Sequence, residues 1–337
     1  MQAYEIIPGD GVDAITRVDR PAVMPGPGDV LIDVKACSVN YRDLITIKGG
    51  LGREKPLGGV PLSDGAGVVA AVGAQVTTFK VGDRVVPAFM PWHIDGPLTP
   101  EKQAGSLGGA VDGMLQRQIA LPASGVLPIP DHLRFEEAAT LPCAGVTAWY
   151  AHFVGGAVKP GDTVLLLGTG GVSIFALQFA KLAGARVIIT SSSDEKLERA
   201  RALGADETIN YRAKPDWHER VVELTDGAGA DHAVDVGGPG TLNLTLKAVR
   251  YAGTISLMGV LTGVSDPINT VDILSKNIRI QGVYVGSVAV MRDMMRAISA
   301  ASLTPVVDRV FSFDDAIEAL RFQESGNHFG KVVISMT

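Results

Sequence analysis

Residues 162–190, DTVLLLGTGGVSIFALQFAKLAGARVIIT, constrain the fold of this chain more than any other stretch. An apolar run of strand length breaks at Gly168, Gly170 and Gly171, a helix-length apolar segment follows, and a second apolar run begins after Gly184. Strand, tight turn, helix and strand make one βαβ unit, whose two strands must lie parallel. The pattern then repeats. Strands are predicted at Thr163–Leu167, Arg186–Thr190, Glu207–Asn210, His232–Val236, Thr254–Met258 and Ile278–Val285, separated by helix-like segments such as DEKLERARALG and WHERVVELTDG. Sustained alternation of this kind predicts an α/β fold with a doubly wound parallel sheet.

The first part of the chain reads differently. Up to about Ser124 the runs are short and Val-rich, as in GDVLIDVKACSVN, GAGVVAAVGAQV and VGDRVVPAF, and they are bounded by Gly, Pro and Asp. That is the pattern of an irregular β-rich domain. The boundaries expected from the change of rhythm are a β-rich domain over 1–124, the parallel-sheet domain over 125–285, and a tail over 286–337. The tail holds a helix, AVMRDMMRAISAAS, and a final strand, GKVVISM, and its own pattern leaves open which domain it joins.

A chain of 337 residues is long enough for about two domains. Its net charge of −6 and its lack of any basic run argue against nucleic acid or an anionic membrane as partner. The partners expected are small molecules. No apolar run reaches the ~18 residues of a membrane span, and the N-terminus has no basic region followed by an apolar core, so the expectation is a soluble cytoplasmic protein. The only cysteines, Cys37 and Cys143, read as two thiols, and structural zinc of the four-cysteine type is impossible. Six histidines show no spacing that suggests a metal site.

The turn after the first parallel strand is the candidate phosphate cradle, formed by Gly168, Thr169, Gly170, Gly171 and Val172. Glycines let a pyrophosphate approach the backbone, and the N-terminus of the next helix offers free N–H groups and a positive dipole. Ser173 replaces the third glycine of the usual G-x-G-x-x-G spacing, so the argument rests on the strand before, the helix after and the further βαβ units. At the end of the second strand NAD sites carry an acid, which would repel the extra phosphate of NADP. Here Ser191 stands there. Ser191 and Ser192, with Lys196 and Tyr211 beyond them, are candidates for a 2′-phosphate pocket and hence for NADP(H) as cofactor. The plainer alternative is that Ser193 caps the helix starting at Asp194 and that Lys196 and Tyr211 are solvated.

Over essentially its whole length the chain resembles the medium-chain dehydrogenase/reductase superfamily, through VKACSVNYRDL, PLSDGAGVVAAVG, FKVGDRVV, LPCAGVTAW, GTGGVS, LGAD and the terminal GKVVI. The resemblance implies a GroES-like catalytic domain completed by residues 286–337, a Rossmann domain between, and a substrate held where the nicotinamide projects. It also implies that Met258, Val283 and Val285 hold the carboxamide through backbone groups, that Thr147 lies against the ring, and that Lys331 belongs with the cofactor residues. Zinc members of the superfamily place their catalytic ligands where this sequence has Asn40, Ser63 and Cys143. Only one of the three is a zinc ligand by type, so the chain reads as a member of the zinc-free branch near quinone oxidoreductases, with no metal. Cys143 then reads as a pocket wall, with a reactive thiol as the alternative. Trp92 and His93, in PWHIDG, fall in a loop that can border the substrate, though aromatic packing and a structural loop histidine are the plainer readings.

Hydride transfer needs stabilisation of the charge that builds on the substrate oxygen, which zinc would supply. Without zinc, an electrophilic acceptor is the easier substrate and hydrogen-bond donors can suffice. Asn40, Tyr41 and Ser63 are the candidate donors, with Asp43 and Asp64 as orienting carboxylates or proton relays. Asp43 holding Arg42 or a backbone N–H accounts for NYRD equally well. Three functions stay open: an NADPH-dependent quinone or enone reductase, a metal-free dehydrogenase of CH–OH groups, and a non-catalytic NADPH-binding protein. The apolar stretch NIRIQGVYVGS, at the expected edge of the parallel sheet, predicts a homodimer through that strand.

Overall fold

The structure, a computed structural model, describes residues 1–50 and 54–336. It divides into two compact units, Met1–Val146 with Val285–Thr337, and Thr147–Tyr284. Among the described residues no helix is long and apolar enough to cross a membrane.

In the first unit β1 (Gln2–Ile6) and β2 (Ile15–Asp19) form an antiparallel pair. The main sheet is built from β3 (Asp29–Val39), β4 (Asp64–Val72), β5 (Arg84–Pro87), β6 (Gln118–Pro122) and β7 (Val126–Pro128). The second unit carries β8 (Thr163–Leu166), β9 (Arg186–Ser191), β10 (Glu207–Asn210), β11 (Ala230–Asp235), β12 (Val249–Leu257) and β13 (Arg279–Gly282). The chain then returns to the first unit with β14 (Val307–Ser312) and β15 (Lys331–Ser335). In the first sheet the order is β14-β15-β3-β4-β5-β7, with β6 also on β3. β15 runs antiparallel to β3 with Val332 opposite Val39 and Ile334 opposite Cys37, so the C-terminal strand completes the β-rich unit. Val30, Ile32 and Val34 of β3 pack with Val332 and Ile334 in one apolar core.

The second sheet has the order β10-β9-β8-β11-β12-β13, every pair parallel. Counted from β8, this is third, second, first, fourth, fifth, sixth, which puts the reversal of strand order between β8 and β11. Ligands of such sheets bind outside the carboxyl ends of the strands at that reversal. β8 is buried on both faces because helices cover both, which is why its sequence is a continuous apolar run.

Several boundaries differ from the sequence reading; β12, for one, begins at Val249 instead of Thr254. Residues after 124 remain with the β-rich unit, because β7 pairs with β5 through Val86 and Leu127, and a π-helical turn over Leu141–Gly145 follows before the chain leaves at Val146. The last parallel strand stops at Gly282 instead of Val285. Beyond it Val285 takes a φ of 54°, a left-handed conformation outside the extended range.

Candidate active site

The helix Tyr41–Lys48 starts directly after β3, and Asn40 is its N-cap. Asp43, three residues on, accepts the Asn40 backbone N–H at 2.8 Å, so the acid fixes the entry of the chain into the helix. Its other oxygen meets Arg42 Nη1 at 3.1 Å and the Ser63 N–H at 3.3 Å. Arg42 in turn donates to the Leu107 carbonyl at 2.8 Å and lies over the Phe89 ring, 5.1 Å from its centroid. Burial pushes the Asp43 carboxyl up, against the opposing pull of Arg42 and of the Asn40 N–H. The plainer reading of NYRD holds in both its forms: Asp43 holds Arg42 and two backbone N–H groups.

Around this support stand the buried groups. Ser63 Oγ donates to Asp64 at 2.8 Å, and the Cys143 N–H donates to the other Asp64 oxygen at 3.2 Å. Lys331, from the first position of β15, donates to the Val39 carbonyl at 2.7 Å and to Asn40 Oδ1 at 2.5 Å. Burial raises the Asp64 carboxyl to about 6, even though Lys331 and Asn40 pull it down. Burial also lowers the Lys331 ammonium, while Asp64 helps it keep its proton. Desolvation by its surroundings and nearby Asp64 push the half-buried Cys143 thiol well up, which favours its protonated form.

The structure thus brings the buried Asn40, Asp43, Ser63 and Asp64 together with the half-buried Cys143, and it places Lys331 in that cluster with its ammonium on Asn40 and Val39. Tyr41, at the first turn of the helix, is 41% exposed. Trp92 is 47% exposed beside Gly105, where an added Cβ would lie 3.0 Å from its ring. His93 is turned onto the Gly96 carbonyl at 2.9 Å, the structural loop role. In this unit the part played by two residues escaped sequence reasoning. Leu62, fully buried, has φ 71°, and its backbone is so tightly flanked that a Cβ at Gly113 would fall 2.1 Å from its carbonyl oxygen. That strained turn aims Ser63 and Asp64, and such strain gathers at functional sites. A leucine gives no sequence sign of it. The other is Arg42, which the motif contained but whose carbonyl contact is 65 residues away.

In the second unit Gly170 is the N-cap of the helix Gly171–Leu182, with no side chain capping it. Gly168 has φ 75°, open to glycine, and a Cβ there would meet nothing nearer than Val236 Cγ2 at 4.0 Å. The turn is an open cradle at a helix N-terminus, and these residues fit the pyrophosphate of a dinucleotide. Beside it Thr169 and Ser191 are buried with their hydroxyl oxygens 3.2 Å apart. The Tyr211 N–H donates to the Ser191 carbonyl at 3.0 Å, which sets Tyr211 next to the serines. Ser193 caps the helix Asp194–Ala202 through the Lys196 N–H, as expected. Thr147 is buried, the Met258 N–H is bound to the Asp235 carbonyl, and the Val283 N–H is bound to the Leu257 carbonyl. Asp235, at the end of β11, was not foreseen: its carboxylate accepts the N–H groups of Gly237 and Gly238 and the hydroxyls of Thr241 and Thr245, fixing the turn at the strand-order reversal.

Residues 26–131 match the model of the alcohol dehydrogenase GroES-like domain, and residues 171–300 that of the zinc-binding dehydrogenase domain. A zinc-type alcohol dehydrogenase-like protein of Schizosaccharomyces pombe is 46% identical over 316 residues, covering 92% of this chain and 91% of that protein. The chain belongs to the medium-chain dehydrogenase/reductase superfamily. Among solved members of the superfamily, an NAD-dependent alcohol dehydrogenase superposes with a TM-score of 0.91 at 35% identity, all of both chains being covered. A quinone oxidoreductase of Pseudomonas syringae pv. tomato DC3000 does so with 0.84 at 29% identity, over 99% of each chain. The protein is therefore an oxidoreductase of this superfamily with a nicotinamide cofactor. The superfamily's catalytic zinc is a different matter. A neutral amide and a hydroxyl already donating to Asp64 leave Cys143 as the one zinc ligand by type among the three positions, and Zn²⁺ needs about three good ligands. Among the described residues no group of three or more His, Cys, Asp or Glu side chains could hold a metal.

Proposed function

We propose that this protein is an NADPH-dependent, metal-independent reductase of quinones or of activated C=C bonds in enones and enals, working in the cytoplasm, where its two free thiols persist. One observation carries the reading. At a position where zinc relatives place a ligand, Asn40 has a buried amide nitrogen, Nδ2, that makes no hydrogen bond of good geometry, although the Asn40 side chain acts on the Asp64 carboxylate. A buried donor left without an acceptor costs about 1–3 kcal/mol, and a substrate oxygen would remove that cost. The acceptor must carry an oxygen that gains charge as it is reduced, which describes the carbonyl of a quinone or enone.

Bound NADPH supplies the hydride, and with one proton the net change is enone plus NADPH plus H⁺ giving the saturated carbonyl and NADP⁺. The protein's part is to bind and orient. The cradle 168–172 receives the pyrophosphate, and Ser191, Ser192, Lys196 and Tyr211 receive the 2′-phosphate. Thr147, Met258, Val283 and Val285 set the nicotinamide face. Lys331, which the sequence grouped with these, acts instead on the side of Asn40. Asn40 and Tyr41 donate to the developing enolate oxygen, a contribution on the order of 10²-fold in rate if one donor dominates. Water supplies the final proton. Accordingly Asn40→Ala and Tyr41→Phe are each expected to lower kcat on enones with NADPH affinity nearly unchanged; full kcat in both variants would remove the basis of the reading. A second reading, metal-free oxidation of CH–OH groups, is favoured by the likeness to an NAD-dependent alcohol dehydrogenase. It takes over if simple alcohols turn over faster than every quinone and enone tried.

A further inference from the structure

Lys331 and Asn40 are 291 residues apart in sequence, yet the ammonium sits on the amide oxygen at 2.5 Å, fully inside the protein. An ammonium carries three donors and no acceptor, so it can meet only the oxygen of an amide and never its NH₂. The contact therefore decides which way round the Asn40 amide stands. Its second contact, to the Val39 carbonyl at 2.7 Å, ties the ammonium to the backbone one residue before Asn40, so the lysine cannot follow the amide if it turns. On the other side of the amide lies Asp64, which is drawn toward its ionised form by the Asn40 side chain, although no acceptor reaches hydrogen-bond geometry with Nδ2. The Asn40 backbone is fixed separately by Asp43. Lys331 and Asp64 thus favour the same orientation of the amide, and its Nδ2 makes no hydrogen bond of good geometry.

We propose that Lys331 is a positioning residue that locks the Asn40 amide with its NH₂ presented to the substrate oxygen, so that the donor strength of Asn40 depends on Lys331. This rests on the reading of Asn40 as the donor to a quinone or enone oxygen. Without the ammonium the amide loses the contact that fixes its oxygen, and a larger share of molecules turns to offer that oxygen, which repels the electron-rich atom it should stabilise. Lys331 touches neither substrate nor reacting atoms in this role. Its loss should lower kcat more than it raises KM, since the donor matters most when charge has developed.

The test is a double-mutant cycle with Asn40→Ala and Lys331→Met, followed in two ways: kcat for an enone with NADPH, and the affinity of the cofactor-loaded protein for an inert nitrophenolate that mimics the enolate charge. The expected result is a loss in kcat of ~10-fold or more for K331M in the Asn40 background, a parallel loss of nitrophenolate affinity, and less than ~2-fold further loss in either quantity once Asn40 is already Ala. Equal fold-losses in the two backgrounds, or full kcat in a folded Lys331 variant, would overturn the proposal. If Lys331→Met does not yield folded protein, the cycle is run with Lys331→Gln, which removes the charged donor and keeps a polar group, under the same criterion. Asn40→Ala alone retaining full kcat is a distinct outcome: it overturns the donor reading on which the proposal stands.

Discussion

Ser191 is the single side chain on which the proposed preference for NADPH over NADH rests. It ends β9 buried, with Thr169 on its hydroxyl and Tyr211 on its carbonyl. A carboxylate about 4 Å from a phosphate charge costs on the order of 4 kcal/mol near a protein surface, so Ser191→Asp is expected to reverse the order of affinities, from NADPH tighter than NADH to the opposite. Calorimetric titration of both cofactors checks this, and equal affinities in the unaltered protein would contradict it. At this scale the sequence was legible where chemistry is local. The Ser193 cap lies within one turn of its partner, and Asp43 lies three residues from the N–H it accepts. The contacts of Lys331 were not legible because its partners are almost the whole chain away and nothing in GKVVI points to them. Leu62 was missed because its strain comes from the backbones packed around it, not from its own type.

The helix Tyr41–Lys48 is the element that presents the site, and its start depends on one buried acid. Replacing Asp43 with Ala leaves the Asn40 and Ser63 N–H groups and the Arg42 charge without their acceptor. A loss on the order of 3 kcal/mol is expected, read as a lower urea midpoint at pH 7. An unchanged midpoint would mean that water replaces the carboxylate and that the acid is not the anchor of the helix. The parallel strands were legible because burial on both faces writes each of them as an apolar run, whereas their order comes from the structure. Their ends were less so. The apolar run 278–285 continues past the strand because Val283 and Val285 are buried outside it, so hydrophobicity alone does not mark the stop. β7 is only three residues long, too short for any periodicity, and its membership in the first unit is set by pairing with β5.

At the scale of the whole molecule, β13 is the free edge of the parallel sheet, and large apolar side chains stand exposed in the same unit: Tyr251 at 69%, Val271 at 65% and Leu274 at 83%. An uncovered strand edge of this kind invites pairing. The expected assembly is a homodimer in which β13 pairs with its copy across a two-fold axis, seen as twice the chain mass by light scattering at micromolar concentration. A monomer at that concentration would count against it. The membership of the tail in the first unit came from resemblance, since its local pattern fits either unit, and the β15–β3 register is what fixes it. The central claim is that a buried amide, held by Lys331 and Asp43, does at this site what zinc does in other members of the superfamily. Its most direct test is NADPH oxidation by protein purified in EDTA, with zinc measured in the same sample, against quinones and enones, and NADP⁺ reduction by simple alcohols alongside. The account expects turnover of a quinone or enone at a zinc content far below one per chain, unchanged when zinc is added. Activity that appears only with about one zinc per chain would contradict it.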